Sequence, residues 1–111
     1  MIRQKSVSRI ETILAVDGPL AGEAVEDLHR RLTELIAASF LTIALDLSKT
    51  TGINSAAIGK LLLFSRKFAE NRKKLQIRGC SEEVFRVLKA LQLDKLIKME
   101  MQPRRQAGSL D

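Results

Sequence analysis

Several residue types are scarce in this 111-residue sequence, and each scarcity excludes a class of protein or site. There is one cysteine, Cys80, so neither an intramolecular disulfide nor a cysteine-rich metal site can form, which is typical of a reducing compartment. No run approaches the roughly 20 apolar residues that cross a bilayer, and the first residues lack the apolar core of a signal peptide. These absences predict a cytoplasmic protein that does not insert into membranes.

Aromatic residues are also few, which weakens the interpretation that the basic charge first suggests. The formal net charge is +6 and the pI is near 9.9, values common among nucleic-acid-binding proteins. The basic residues are spread along the chain, aromatic content is only 4%, and neither Trp nor Tyr is present to stack on bases. We therefore expect no direct binding to nucleic acid.

The sequence also lacks the sets of residues that catalysis and metal binding require. Its one histidine, His29, has no second His or Cys at ligand spacing and is expected beside the apolar stripe of a helix. No glycine-rich loop matches a phosphate-binding motif, and no Ser/His/acid set has the context of a nucleophile turn. The expectation is a protein that is not an enzyme, with no catalytic residues, no metal site and no cofactor.

What is present is the pattern of one α/β domain, and 45% hydrophobic content in 111 residues fits a single core. Strands are predicted at residues 10–16, 41–47 and 75–79, with a less regular edge strand at 2–7 and a closing segment at 96–99. Amphipathic helices are predicted at about 21–38, after the loop from Ser48 to Asn54 with an end marked by Asn71, and after Ser81. The alternation predicts a four- to five-stranded, mixed but mostly parallel sheet with α-helices packed against it.

The same periodicity predicts which side chains are buried. The core is expected to contain Leu28, Leu32, Ile43, Leu45, Leu61 and Leu88. The core stripe of the second helix is assigned to Ile58, Leu61, Leu62, Ser65, Phe68 and Ala69, and that of the third to Val84, Val87, Leu88 and Leu91. The strand at 41–47 is apolar at nearly every position and is expected to be covered on both faces, with Asp46 at its end bonding loop amides.

The most informative stretch runs from Leu45 to Leu62. An apolar strand ends in Asp-Leu-Ser, and a loop and an apolar residue then lead to a serine at the start of an apolar helix. This order resembles the signature of the STAS domain family, in which Asp-Ser-Ser-Gly-Leu-Gly opens the helix. The segments 18–20, 75–81 and 91–93 are similar to the family's flanking elements, so the resemblance covers about residues 10 to 99. It implies a STAS-like single domain at residues 1–102, and the polar residues 103–111 are expected to form a disordered tail.

In STAS proteins that act as anti-sigma factor antagonists, the first serine of the signature is phosphorylated by a partner kinase that is also an anti-sigma factor. Ser55 occupies that position. The sequence departs from the pattern in having Asn54 for the acid, Ala56 for the second serine, Ala57 for the first glycine and Ala21 for an upstream Asp, so this surface has less negative charge. Two interpretations stay open: Ser55 or Asn54 caps the helix, an effect of ~1 kcal/mol, or capping is combined with phosphorylation of Ser55.

A second set of residues lies on the other side of the same helix, where Lys60, Leu63, Phe64 and Lys67 recur at helical spacing. Leu63 and Phe64 either form an exposed apolar patch with a basic rim, suited to a partner with an acidic groove, or pack on a neighbouring helix. The predicted partner-binding residues are Asn54, Ser55, Ala56, Lys60, Leu63, Phe64 and Lys67.

The resemblance implies one of two roles. The first is a bacterial transcription regulator, a protein-binding module and phosphoprotein that docks on an anti-sigma factor with serine kinase activity. The second is a constitutive STAS subunit of a transporter or larger signalling assembly, with a transporter ATPase subunit as its partner and no phosphorylation. A weak homodimer is open in either role.

Overall fold

The computed structural model of the protein describes residues 1–100, so the predicted tail at 103–111 lies outside the described residues. Within residues 1–100 the elements are β1 (Ile2–Ser6), β2 (Glu11–Val16), β3 (Gly18–Leu20), α1 (Glu23–Ala37), β4 (Thr42–Leu47), β5 (Thr50–Ile53), α2 (Ser55–Glu70), β6 (Lys74–Cys80), α3 (Glu82–Ala90) and β7 (Lys98–Glu100), with one turn of 3-10 helix at Leu93–Lys95. The predicted α/β fold is confirmed, and the irregular edge strand expected at 2–7 is β1.

Five strands form one sheet in the order β1-β2-β4-β6-β7, and only the β1–β2 pair is antiparallel. From β2 onward, each helix carries the chain to the next parallel strand in the same direction across the sheet. Because such crossovers are right-handed, the three α-helices lie on one face. The short strands β3 and β5 were not predicted; they form a separate parallel pair beyond the carboxyl ends of β2 and β4.

The core lies between the helices and this face of the sheet. Register aligns Leu14 of β2 with Leu45 of β4, and Leu45 with Ile77 of β6, so three fully buried side chains form a row across the sheet. Full burial of such a side chain stabilises the fold by roughly 1.5–3 kcal/mol. The prediction of the core is confirmed, since each of its six members is 0% exposed: Leu28, Leu32, Ile43, Leu45, Leu61 and Leu88.

The opposite face of the sheet is covered by its own long side chains. Ala44 of β4 lies on this face, yet it is 0% exposed. On the two strands that flank β4, Arg78 forms an ion pair with Glu11, and the pair therefore passes over β4. The short side chain of Ala44 leaves room for this crossing. The central strand is thus covered on both faces as predicted, but by helices on one side and a charged pair on the other.

The carboxyl end of α1 is held by a lysine from a distant part of the chain. The last turn of α1 contains no basic residue of its own. Lys73 instead donates from Nζ to the carbonyl oxygen of Ala38 at 2.7 Å and to that of Phe40, and its side chain is buried. Carbonyl oxygens here replace the water that a buried ammonium loses. This contact ties the α1–β4 connection to the turn that follows α2.

The rotation of α2 differs from the prediction. Its buried residues are Ala57, Leu61, Phe64 and Phe68. Leu62, which was assigned to the core stripe, is 38% exposed. The reason is that α2 packs on α1 as well as on the sheet, and the ring of Phe64 meets His29 of α1 edge-on with ring centroids 5.3 Å apart. Ala69, also assigned to the stripe, is exposed for the same reason.

Three apolar residues outside α2 are also more exposed than predicted. On α3, Val84 and Leu88 are buried, but Val87 is 39% exposed, because a helix of nine residues reaches the core through only one side. Leu91, which follows the end of α3, is 53% exposed. Leu41 is 47% exposed, since it precedes β4 and belongs to the connection from α1.

Candidate functional site

The start of α2 rests on the small β3–β5 pair. The amide of Asn54 donates to the carbonyl oxygen of Leu20 at 3.4 Å, which joins the residue before the helix to the end of β3. Thr50 of β5 donates from Oγ1 to the carbonyl oxygen of Val16 at 2.8 Å. Ser81 donates from Oγ to the carbonyl oxygen of Thr50 at 2.7 Å. Bonds from three separate segments therefore fix β5 and the direction in which α2 leaves it.

Asn54 is the residue that caps α2. Its Oδ1 accepts a hydrogen bond from the amide of Ala57 at 2.9 Å, and its backbone is extended, with φ −106° and ψ 175°. The bond satisfies one of the amides that the first turn of a helix leaves unpaired. Of the two capping residues considered from the sequence, Asn54 is the one used, so the helix does not depend on the Ser55 hydroxyl for its cap.

Ser55 is the first residue of α2 and is exposed. Within residues 1–100, the side-chain hydrogen bonds at this end involve Asn54, Thr50 and Ser81 and leave the Ser55 hydroxyl unbonded. A group attached there would lie beside the free amides and the positive end of the helix dipole. The first turn of α2 contains no acidic residue, so nothing on the helix itself compensates this positive end.

The surroundings of this helix start carry negative charge. The first turn of α1 contains Glu23 and Glu26, and that of α3 contains Glu82 and Glu83. These carboxylates stabilise their own helix dipoles. Asp46 at the end of β4 accepts hydrogen bonds from the amide and hydroxyl of Ser48 at 3.0 and 2.6 Å, which confirms its predicted role. Of the three α-helices within residues 1–100, α2 alone starts without an acid.

The exposed surface of α2 continues away from Ser55 and is partly apolar. Leu62 and Leu63 are 38% and 36% exposed. Gly59 lies one turn before them on the same surface, and a Cβ added there would meet no atom within 4 Å. Arg66 and Lys67 follow one turn later and are exposed. We call this surface the outer face of α2; it comprises Ser55, Ala56, Gly59, Leu62, Leu63, Arg66 and Lys67.

Neither a close contact nor a positive φ within residues 1–100 requires a glycine at position 59. Glycine inside a helix costs roughly 0.5–1 kcal/mol relative to alanine, and here the extra methyl group has open space around it. A glycine on an exposed helix surface allows another backbone to approach closely. The open space at Gly59 would therefore accommodate the backbone of another molecule.

The structure brings together six of the seven predicted partner-binding residues: Asn54, Ser55, Ala56, Lys60, Leu63 and Lys67, of which Lys60 is half-buried. Phe64 must be removed from the set. It is 1% exposed, and its ring packs against His29 and Phe68. The sequence reasoning missed Gly59, Leu62 and Arg66, which a helical projection centred on Phe64 and Phe68 places on the outside.

Metal-ligating and thiol groups were considered as alternatives to this site in the part of the chain that the structure describes. It contains no group of His, Cys, Asp and Glu arranged to hold a metal ion. Cys80 is buried as predicted, and burial raises the pKa of its thiol to about 11, so the thiol is protonated near neutral pH and is a poor nucleophile. None of the helices in residues 1–100 has the length and apolar character needed to cross a membrane.

Comparison with known proteins supports the resemblance seen in the sequence. The family model of the STAS domain matches residues 2–106 of the chain. The chain belongs to the STAS domain family. Among solved structures, SpoIIAA from Bacillus, an anti-sigma factor antagonist whose structure is known in unphosphorylated and phosphorylated forms, matches at 17% identity with a TM-score of 0.79 in the unphosphorylated form, over 100% of each chain.

Two further structures show how widely this STAS fold is used. An anti-sigma factor antagonist from Mycobacterium paratuberculosis is 15% identical, with a TM-score of 0.78 over 89% of this chain and 83% of the other. The murine anion transporter Slc26a9 is 13% identical, with a TM-score of 0.68 over 83% of this chain and 16% of the transporter chain. At these identities the likeness shows the fold, which therefore occurs both in antagonists and within a transporter.

Proposed function

We propose that this STAS domain is a non-enzymatic regulatory module of the anti-sigma factor antagonist type. It docks on a protein partner through the start and outer face of α2, and phosphorylation of Ser55 switches the docking. The partner is an anti-sigma factor with serine kinase activity. Both proteins act in the cytoplasm, a reducing compartment that fits a single cysteine, Cys80, with a protonated thiol. The observation that supports this best is the exposed Ser55 at the start of an acid-free helix.

Phosphorylation of Ser55 is expected to change the strength of docking and to leave the stability of the fold nearly unchanged. Because Asn54 provides the cap, a phosphate on Ser55 leaves that hydrogen bond intact. The phosphate adds about 1.5 to 2 negative charges beside the positive helix end, which favours them. In a docked complex the phosphate would lose its bound water without gaining an opposite charge at the interface. This desolvation cost weakens docking.

The test is to isolate the partner by affinity purification and to measure its affinity by calorimetry for wild type, Ser55→Ala and Ser55→Asp. We expect Ser55→Ala to bind like wild type and Ser55→Asp to bind at least about tenfold more weakly, because a charge is buried at the interface. Treatment with the kinase should add phosphate to wild type and none to Ser55→Ala, as measured by intact mass.

A matched control is Ser39→Asp, which places the same charge on an exposed serine at the other end of the domain. It should leave the affinity unchanged. Equal affinities for wild type and both Ser55 variants, without any phosphate on Ser55, would contradict the proposal.

The second role, a constitutive STAS subunit of a transporter or larger signalling assembly, has its own support. The fold matches part of the Slc26a9 chain, and Asn54 and Ala56 replace an acid and a serine of the antagonist signature. This role predicts copurification with a transporter ATPase or membrane subunit, and an affinity that Ser55→Asp does not change.

A further inference from the structure

The end of the domain opposite to Ser55 has the reverse charge. Three segments, residues 5–10, 38–41 and 71–74, form this end, which we call the basal end. Hydrogen bonds hold them side by side: the amide of Leu41 donates to the carbonyl oxygen of Ile10 at 2.8 Å, and the amide of Lys74 donates to that of Leu41 at 2.8 Å. These segments contain no acidic residue, and their basic residues are Lys5, Arg9, Arg72, Lys73 and Lys74. The nearest carboxylates along the chain are Glu11, which is paired with Arg78, and the exposed Glu34 and Glu70 near the ends of α1 and α2, so basic residues still outnumber acidic ones at this end.

Most of this basic charge is available to a ligand. Lys73 is bound to two carbonyl oxygens, but Lys5, Arg9, Arg72 and Lys74 are exposed. None of these four forms an ion pair with another residue in the range 1–100. Elsewhere in that range several basic residues are paired with acids, namely Arg3, Arg30, Arg31, Arg78, Lys89 and Lys98.

Aliphatic side chains protrude among these charges. Val7 and Ile10 in the β1–β2 turn are 53% and 54% exposed, and Leu41 in the α1–β4 connection is 47% exposed. Ile10 and Leu41 are neighbours through the hydrogen bond between their backbones. A shallow cavity lined by Ser8, Ile10 and Phe40 opens beside them. The basal end therefore exposes aliphatic and basic side chains together.

We propose that the basal end binds the surface of membranes that contain anionic lipid. Aliphatic side chains at loop tips enter the boundary between headgroups and acyl chains, while Lys and Arg around them meet the lipid phosphates. A nucleic acid would use the charges but leave Val7, Ile10 and Leu41 without a counterpart. Because Ser55 lies at the opposite end, a domain bound in this way keeps the outer face of α2 open to a protein partner.

The test uses the full-length chain and sedimentation with vesicles of phosphatidylcholine, alone or with about 30% phosphatidylglycerol to give a negative surface. We expect binding only to the anionic vesicles, and weaker binding as salt is raised. Each basic residue near the surface contributes about fivefold to partitioning, so Arg9→Gln/Lys74→Gln should bind about 30-fold more weakly. Ile10→Ser/Leu41→Ser leaves the charge unchanged and should weaken binding to anionic vesicles at least about threefold.

Two charge-matched controls separate the basal end from general attraction. Lys49→Gln/Arg86→Gln removes two exposed charges from other surfaces and should change binding less than about twofold. Arg104→Gln/Arg105→Gln tests residues outside the described range and should leave most of the binding in place. Circular dichroism should show that every variant is folded.

Several outcomes would overturn the proposal. One is the absence of binding to anionic vesicles at low salt, and another is equal weakening by the basal and control charge variants. A third is binding of a nucleic-acid duplex, sensitive to Arg9→Gln/Lys74→Gln, without binding to vesicles. A fourth is self-association that Leu41→Ser abolishes in the absence of any vesicle binding, since this would make the basal end a contact between copies of the chain.

Discussion

The first turns of α2 and α3 have similar caps and different charges. Asn54 accepts a hydrogen bond from Ala57, and Ser81 accepts one from Val84 at 3.3 Å. After the cap, α3 continues with two glutamates, whereas α2 continues with exposed Ser55 and no acid. The fifth residue is Gly59 in α2 and an arginine in α3. Acidic residues of the chain itself therefore compensate the helix dipole at the start of α3. The start of α2 lacks such a residue, and the space beside Gly59 is open.

The largest effect on the free energy of unfolding is expected in the central strand of the sheet, on which both helices pack. Leu45 is 0% exposed in the central strand, and Leu45→Ala should lower the free energy of unfolding by ~2 to 5 kcal/mol through lost apolar burial and a residual cavity. Leu41→Ala is the control, because Leu41 is 47% exposed and should matter by less than about 0.5 kcal/mol. Urea unfolding measures both, and an unchanged midpoint for Leu45→Ala would remove β4 from the centre of the fold.

The caps give the next largest effect and compare the two helices directly. Ser81→Ala removes the cap of α3 and the hydrogen bond to Thr50, and should cost ~1 to 2 kcal/mol of unfolding free energy. Ser55→Ala removes no hydrogen bond of the fold and should change stability by less than about 0.5 kcal/mol. Equal losses, measured by urea unfolding, would mean that Ser55 is a structural residue after all.

A substitution at the fifth position of α2 should raise the stability of the fold and lower the affinity for the partner. Gly59→Ala should raise the free energy of unfolding by roughly 0.5–1 kcal/mol, because the methyl group has open space in the free protein. It should also weaken binding of the partner, whose backbone would meet that methyl group. Arg86→Ala, at the equivalent position of α3, is the control and should leave partner affinity unchanged. Unaltered affinity of Gly59→Ala, measured by calorimetry, would show that no partner approaches closely there.

Charge in the first turn should produce a smaller, salt-dependent difference. Ser55→Asp supplies the acid that α2 lacks and should stabilise the fold by ~0.3 to 1 kcal/mol at low salt. Glu83→Gln removes one of the two acidic residues from the first turn of α3 and should lower the free energy of unfolding by a similar amount. Both effects should shrink as salt screens them. Urea unfolding at two salt concentrations checks this, and a destabilising Ser55→Asp would show that the helix start is already compensated.

Cys80, just before the cap of α3, gives an effect that is confined to alkaline pH. Burial raises the pKa of its thiol to about 11, so the unfolded thiol ionises first as the pH rises. The thiol's contribution to stability is therefore full below about pH 8 and is lost as the pH rises towards the folded pKa. The difference in unfolding free energy between wild type and Cys80→Ala should follow that course. A native thiol that reacts with alkylating reagents as fast as a free one would contradict its burial.

The sequence was a good guide wherever one stripe of apolar residues was bounded by polar ones. In α1 the stripe through Leu28 and Leu32 is flanked by charges, and its buried face was predicted correctly. Asp46 at the end of β4 was equally clear, because a polar residue that ends a buried strand has only loop amides to bond.

The rotation of α2 could not be predicted in the same way. Five of the seven residues from Ile58 to Phe64 are apolar, and they surround the helix, so periodicity alone does not choose a buried face. The choice is made by α1, through the contact of Phe64 with His29. The β3–β5 pair was missed for a related reason: Thr50, Thr51 and Gly52 have no strand pattern, and the pair exists only because the fold brings two loops together.

The bond from Lys73 to the end of α1 has a consequence for the order of events during synthesis. The chain is made from its amino end at about 5–20 residues per second, so residue 38 leaves the ribosome well before residue 73. Until Lys73 follows, the carbonyl groups of Ala38 and Phe40 are bonded to water, and α1 has no cation at its carboxyl end. The carboxyl end of the nascent α1 therefore lacks its stabilising cation until the turn after α2, which contains Lys73, has been synthesised.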